Sequence, residues 1–286
     1  MKKVLLMFLV LSLANAACAE KLRIKPWVGY TSVALGDFHD ALNKARDIFI
    51  EDKNDQYDEV SASVKNAHGA AIIGVDFDYA ITENILVGPR ISYIDVPTIE
   101  SKISEKETDI DPLYGTLIHD EVIKEKYDLS LLPITVGIKY EKMDSNRFSF
   151  NMGLNMGLGL AKLNYELHTN SLYKVESDFS GDYYRERFSI DKQKTYVGAC
   201  FVTDVSVGGT YKFNSTFSLG ANIGYRYAKV QKMKLSKDYY DYYRNDEGDE
   251  YSYAEKKGDT IKNSEDNDIE FDFSGVTLTC GLNMAF

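Results

Sequence analysis

The sequence predicts an all-β chain: an eight-stranded antiparallel up-and-down transmembrane β-barrel with long extracellular loops. Three observations predict it. The first is strict alternation. Phe148, Phe150, Met152, Leu154, Met156, Leu158 and Leu160 fall on one face, opposite only Ser149, Asn151, Gly153, Asn155, Gly157, Gly159 and Ala161. Successive strand side chains point to opposite faces, so this is a strand with one apolar and one small, polar face; no helix has that period. The second is rhythm: three short polar turns alternate with four long polar connections, as in barrels with short turns at one rim and long loops at the other. The third is the company the charges keep. Charged strand residues share a face with Gly and Ser, which puts apolar side chains outside and charge inside. A lipocalin-like soluble barrel would do the reverse.

Taken in order, the first strand is about Leu22–Ser32, where Leu22, Ile24, Pro26, Val28 and Tyr30 alternate with Arg23, Lys25, Trp27, Gly29 and Thr31. Residues 34–68 lose the alternation. There Phe38, Leu42, Ala45 and Phe49 recur near helical spacing behind Asp37, an N-cap residue type, which predicts a long loop carrying a short helix. The second strand is about Ala70–Ile81, turned by Thr82–Asn84 into a third that begins at Ile85. Residues 97–126 are polar and charged but alternate weakly at their ends, so a ribbon projecting beyond the membrane is expected. The fourth strand is about Tyr127–Lys142, the turn Met143–Asn146 follows, and the fifth runs from Phe148. Its Gly residues would weaken an ordinary strand but fit a narrow interior. Residues 167–194 form the third long connection, with a reversal at Ser180–Asp182. The sixth strand, about Thr195–Phe213, turns at Asn214–Thr216 into the seventh, Phe217 to about Val230. Residues 231–268 are the fourth long loop and Val276–Phe286 the last strand. Each apolar stretch matches the roughly 9–11 residues a tilted strand needs to cross a bilayer.

The chain opens Met1-Lys2-Lys3, then runs apolar from Val4 to Leu13 and reaches Ala14-Asn15-Ala16 and Ala17-Cys18-Ala19. A basic start, a short apolar core and Ala-x-Ala sites make a secretory signal peptide, residues 1–19, with cleavage after Ala16 or Ala19; residues 20–286 are the barrel domain. Asn15 stands where a lipoprotein motif prefers Leu, which argues against lipidation at Cys18. Cys200 and Cys280 fall on different faces and are read as unpaired small residues. Removing Lys2 and Lys3 from 33 basic residues leaves 31 against 44 acidic ones, a net charge of −13. That excludes the basic footprint of a nucleic-acid binder.

The last stretch reads VTLTCGLNMAF, apolar on one face and small or polar on the other, and ends on Phe286. It resembles the closing strand of bacterial outer-membrane β-barrels, and over the whole mature chain the architecture resembles the small OmpA, OmpX and Opa-type barrels. The resemblance rests on strand count, alternation and the terminal Phe. It implies a Gram-negative outer-membrane location, Phe286 as an assembly signal read by the barrel-assembly machinery, lipid and lipopolysaccharide as surroundings, and loops that meet host or matrix ligands. It carries no functional motif, and residues 20–286 lack the periplasmic peptidoglycan-binding domain of full-length OmpA. The expected function is an adhesion or structural surface protein; the alternative is a narrow, porin-like channel for ions or small hydrophobic solutes, as in the OmpW-like family.

Turn lengths suggest registers for the interior. Pairing Ile81 with Ile85 puts Asp76 opposite Arg90; pairing Phe213 with Phe217 puts Asp204 opposite Arg226. Two lumen ion pairs are therefore expected, with Lys25, Asp78, Lys139, Glu141 and Lys212 nearby. Eight strands leave room for little but side chains, so a wide pore is disfavoured. No enzyme, metal or cofactor is expected. His39, His68, His119 and His168 lack metal-ligand spacing, and His168, Ser171 and Glu166 lack the tight His-x-Ser spacing of the outer-membrane lipid A deacylases. The fourth loop is the most unusual surface: residues 238–268 hold eleven acids, four bases and the six tyrosines Tyr239, Tyr240, Tyr242, Tyr243, Tyr251 and Tyr253. Tyr supplies contact area at low entropy cost, so these form a candidate contact surface; no EF-hand pattern is present.

Overall fold

A computed structural model describes residues 22–53, 57–111, 115–143, 145, 147–176, 183–244, 250–263 and 265–286, with the backbone alone at 111, 176, 183–188, 241–244 and 250–253. The leader and the Ser180–Asp182 reversal lie outside the described residues. The elements are β1 (Leu22–Ser32), α1 (Asp37–Lys53), β2 (Glu59–Lys65), β3 (Gly69–Ala80), β4 (Ile85–Asp95), β5 (Ile99–Asp111), β6 (Gly115–Met143), β7 (Phe148–Glu176), β8 (Tyr183–Lys212), β9 (Phe217–Val230), β10 (Lys234–Leu235), β11 (Tyr239–Arg244), β12 (Glu250–Glu255), β13 (Phe271–Asp272) and β14 (Gly275–Ala285).

Eight of these strands close a ring. β1 pairs with β3, β3 with β4, β4 with β6, β6 with β7, β7 with β8, β8 with β9, β9 with β14, and β14 with β1, every pair antiparallel. Closure is completed at the terminus, where the Phe286 amide donates to the Leu22 carbonyl at 2.9 Å. A closed ring leaves no unpaired edge. The expectation of eight strands in all is corrected: the described residues hold fourteen. Of the additional ones, β5 lies in the ribbon expected over residues 97–126, whereas β2 and β10–β13 lie in stretches read as loops, because each is too short or too polar to carry an apolar alternation. β6 and β7 are each 29 residues and β8 is 30. β5, 13 residues or about 43 Å at ~3.3 Å per residue, runs beside β6 from Tyr127 to Gly115, with β2 on its far side. The fourth loop likewise holds a hairpin, β11 against β12. The predicted short helix is 17 residues long.

The three short turns share one device. Thr82 Oγ1 accepts from the amides of Asn84 (3.3 Å) and Ile85 (3.1 Å), Ser145 Oγ from Arg147 (3.4 Å) and Phe148 (3.1 Å), and Asn214 Oδ1 from Thr216 (2.9 Å) and Phe217 (2.7 Å). Each side chain satisfies backbone donors that a tight reversal would strand. All three lie at one end of the ring, and they set the registers across the interior.

Outside, the ring is apolar. Val28, Ile73, Val136, Leu158, Phe201, Ile223 and Leu278 are all at least half exposed. Tyr79, Tyr140, Phe148, Phe213, Phe217 and Phe286 stand exposed beside the short turns, and Tyr30, Tyr93, Tyr225 and Tyr227 toward the other rim.

The interior divides in two. Toward the short turns it is polar. Toward the long connections Ile72, Ile94, Leu129, Leu131, Leu163 and Val202 are buried inside the wall, packed under Leu35, Met233, Phe271 and Phe273 from the connections. Leu35 and Gly36 have positive φ (56° and 51°), a kink that swings the chain inward before α1 begins. Phe38 of α1 then sits 5.1 Å from the Tyr127 ring and 5.0 Å from Phe271. The helix is thus the lid of an apolar plug, and the plug holds the main hydrophobic cluster.

Candidate functional site

The polar half of the interior is built by parity. Lys25 and Trp27 of β1, Asp76 and Asp78 of β3, Arg90 of β4, Lys139 and Glu141 of β6, Asp204 of β8 and Arg226 of β9 occupy inward positions. Asp76 is the hub and has no exposed surface. Its Oδ1 accepts from Arg90 Nε (2.8 Å) and Trp27 Nε1 (2.7 Å), its Oδ2 from Arg90 Nη2 (3.0 Å) and Lys139 Nζ (2.6 Å). Lys139 also holds Asp78 at 2.6 Å. Arg90 reaches onward through Nη1 to Asp204 at 3.2 Å, and Asp204 accepts from Arg226 Nη2 at 3.3 Å. The guanidinium of Arg90 also lies 5.1 Å from the Trp27 ring, a cation–π contact. Nearer the turns, Arg23 and Ser149 both donate to Glu141.

The expected pairs Asp76–Arg90 and Asp204–Arg226 therefore stand in register and are joined by Arg90 into one chain, Asp78–Lys139–Asp76–Arg90–Asp204–Arg226. Sequence reasoning missed that link, and it missed Trp27, Arg23 and Ser149 as partners. Parity already placed Trp27 on the face of Lys25; what it could not supply was reach around the ring. Arg226 is the weak end: its Nε and Nη1 are buried without partners.

Two of the six tyrosines of the fourth loop have described side chains. Tyr240 is exposed, whereas Tyr239 is partly buried against the plug with Lys194 4.8 Å over its ring. The side chains of Tyr242, Tyr243, Tyr251 and Tyr253 lie outside the described residues; their backbones pair as the β11–β12 hairpin. His168, Ser171 and Glu166 do not converge. His168 Nδ1 meets Asp191, Glu166 accepts from Gln193 at 2.7 Å, and Ser171 lies 3.3 Å from His119 instead. Among the described residues no three His, Cys, Asp or Glu side chains cluster as a metal site. Cys200 and Cys280 are free thiols, one buried and one exposed.

No protein-family model and no curated protein matches the chain. Solved structures do. The chain is similar to bacterial outer-membrane and surface proteins. Neisserial surface protein A is 10% identical over 94% of this chain and 98% of its own, with a TM-score of 0.36. Ail, the attachment invasion locus protein of Yersinia pestis, is 9% identical over 92% and 99%, with a TM-score of 0.26. The outer membrane protease OmpT from Escherichia coli is 8% identical over 93% and 97%, with a TM-score of 0.27. At these identities and scores the similarity assigns no family.

Proposed function

We propose that this chain is an outer-membrane β-barrel protein, exported through a cleaved signal peptide, whose ring spans the membrane and displays long strands and loops at the cell surface for adhesion or surface structure. One observation carries the reading: a closed ring of strands that is apolar outside and charged inside. In water such a belt is an aggregation liability; in lipid it is the required surface, since only a closed barrel satisfies every strand backbone there. Aromatic side chains at both rims suit the two membrane interfaces. The surroundings would be phospholipid and lipopolysaccharide, and Phe286 would serve the assembly machinery. The ribbon β5–β6–β7–β8 and the β11–β12 hairpin would offer contact surface to host or matrix ligands.

The transport alternative is less favoured. A path along the axis would have to pass both the ion-pair chain and the apolar plug under α1. The test is topology. In cells with Cys200 and Cys280 replaced by Ser, a cysteine at Asp109 should react with an impermeant maleimide, whereas one at Glu83 in a short turn should react only after lysis. Equal labelling of both sites in intact cells would sink the reading. Discrete conductance steps from refolded protein in a planar bilayer would replace surface display with transport.

A further inference from the structure

The charges inside the ring do not balance. Arg23, Lys25, Arg90, Lys139 and Arg226, with Lys212 at the short-turn rim, face only Asp76, Asp78, Glu141 and Asp204, and the buried cation left without a carboxylate is Lys25. Lys25 is 8% exposed, and among the described residues no carboxylate comes within ion-pair distance of its ammonium. A buried ammonium without a counter-charge is costly. Beside it lies a cavity of about 40 Å³, room for a few waters or one small anion, whose lining includes Lys25, Thr210, Asn222 and Asn283. Arg23, with its side chain 29% exposed, stands where this cavity approaches the short-turn rim.

The donors converge on one spot. Gly220 has no side chain, and a Cβ there would lie 3.2 Å from Lys25 Nζ, 3.2 Å from Thr210 Oγ1 and 3.5 Å from Asn283 Nδ2. Each has hydrogens to spare. Thr210 Oγ1 accepts from Asn151 at 3.3 Å, which leaves its own O–H uncommitted. Asn283 Nδ2 gives one hydrogen to Ser218 at 3.1 Å and keeps another. The lining carboxylates Asp78 and Glu141 are already held by Lys139 and by Arg23 with Ser149.

We propose that this pocket binds a small free oxyanion, a phosphate or a carboxylate, in the cavity beside Gly220, with Lys25 as its counter-charge and Thr210 and Asn283 as neutral donors. The anion completes the charge balance of the interior. The apolar plug makes the pocket blind, so the ligand enters and leaves by the short-turn rim.

Calorimetric titration of the refolded full chain in detergent tests this, with inorganic phosphate and acetate as probes and sodium chloride holding ionic strength constant. Saturable binding of either probe is expected. Lys25→Gln should weaken it about 10- to 100-fold, the range for losing a hydrogen bond to a charged group. Gly220→Ala should weaken it comparably while keeping every charge, because the methyl would press on all three donors. Should Lys25→Gln fail to fold, Gly220→Ala decides. No saturable heat with either probe, or undiminished affinity in a folded variant, overturns the proposal.

Discussion

The two halves of the ring's interior solve the same filling problem with opposite chemistry. The short-turn half packs charge against charge, from Asp78 through Asp76 and Arg90 to Arg226. The long-strand half packs Ile72, Ile94, Leu131 and Val202 under Phe271 and α1. Hydrophobic packing is tolerant of register, because one methyl group is much like another. An ion-pair chain is not, because even a two-residue slip, which keeps every side chain on its own face, parts each charge from its partner. The polar half therefore fixes which strand residues oppose which, and the apolar half seals the end. The division also separates failure modes: the first half suffers most from an uncompensated charge, the second from a cavity.

The largest effect expected belongs to Asp76. Asp76→Ala leaves Arg90, Lys139 and Lys25 facing one another, in an interior that already holds more cations than carboxylates. Breaking a buried pair by removing one partner costs about 3–5 kcal/mol, and this substitution should lie at the top of that range by urea unfolding in detergent. Arg90→Ala should cost less, because Asp76 keeps Lys139 and Trp27, and Asp204 keeps Arg226. If Arg90→Ala proves the more damaging, cation excess is not what governs the polar half.

In the apolar half, Phe271→Ala should cost about 3–5 kcal/mol and Leu131→Ala about 2–5 kcal/mol, as lost transfer energy plus a cavity. Both side chains are fully buried. The sharper expectation is additivity. Leu131→Ala combined with Asp76→Ala should sum to within about 0.5 kcal/mol if the halves are independent. A large coupling would show that plug and ion-pair chain act as one unit. Trp27→Phe probes their boundary. It retains a ring beside Arg90 but removes the Nε1–H donated to buried Asp76 together with part of the indole, so the loss should be at least about 1.5–3 kcal/mol.

How much of this was legible follows the same division. The outward faces of all eight ring strands and the parity of Asp76, Arg90, Asp204 and Arg226 could be read directly, because an apolar exterior and a polar interior enforce an unbroken two-residue period. The three-residue turn Thr82–Asn84 supplied the register that sets Asp76 against Arg90. The plug was illegible. Where the interior turns apolar, as at Leu129-Ser130-Leu131-Leu132, both faces carry apolar residues and the period fades into what looks like a strand end. Contacts around the ring, such as Arg90 with Asp204 across 114 residues, are hidden for another reason. No local spacing encodes which inward side chains meet across the axis.

The smallest effect expected lies in the lid. His39 of α1 is buried with its Nε2 unpartnered, and its ring is 5.9 Å from that of His68. Burial, and after it the neighbouring His68, push its pKa below the ordinary histidine value, while Asp40 opposes the shift. A histidine whose folded pKa is depressed is neutral at high pH in both states, so nothing distinguishes them there. As pH falls below the unfolded value of about 6.5, the unfolded chain takes the proton first. Stability is then lost progressively until pH passes below the folded pKa, after which the loss is constant. The amides of α1 should therefore exchange faster with solvent at pH 5 than at pH 7.5, after correction for intrinsic rates, while those of β3 and β4 around Asp76 hold. His39→Phe should remove the difference by keeping the packing and deleting the proton site. An α1 equally protected at both pH values in the wild-type chain would mean that the plug needs no neutral His39 to stay shut.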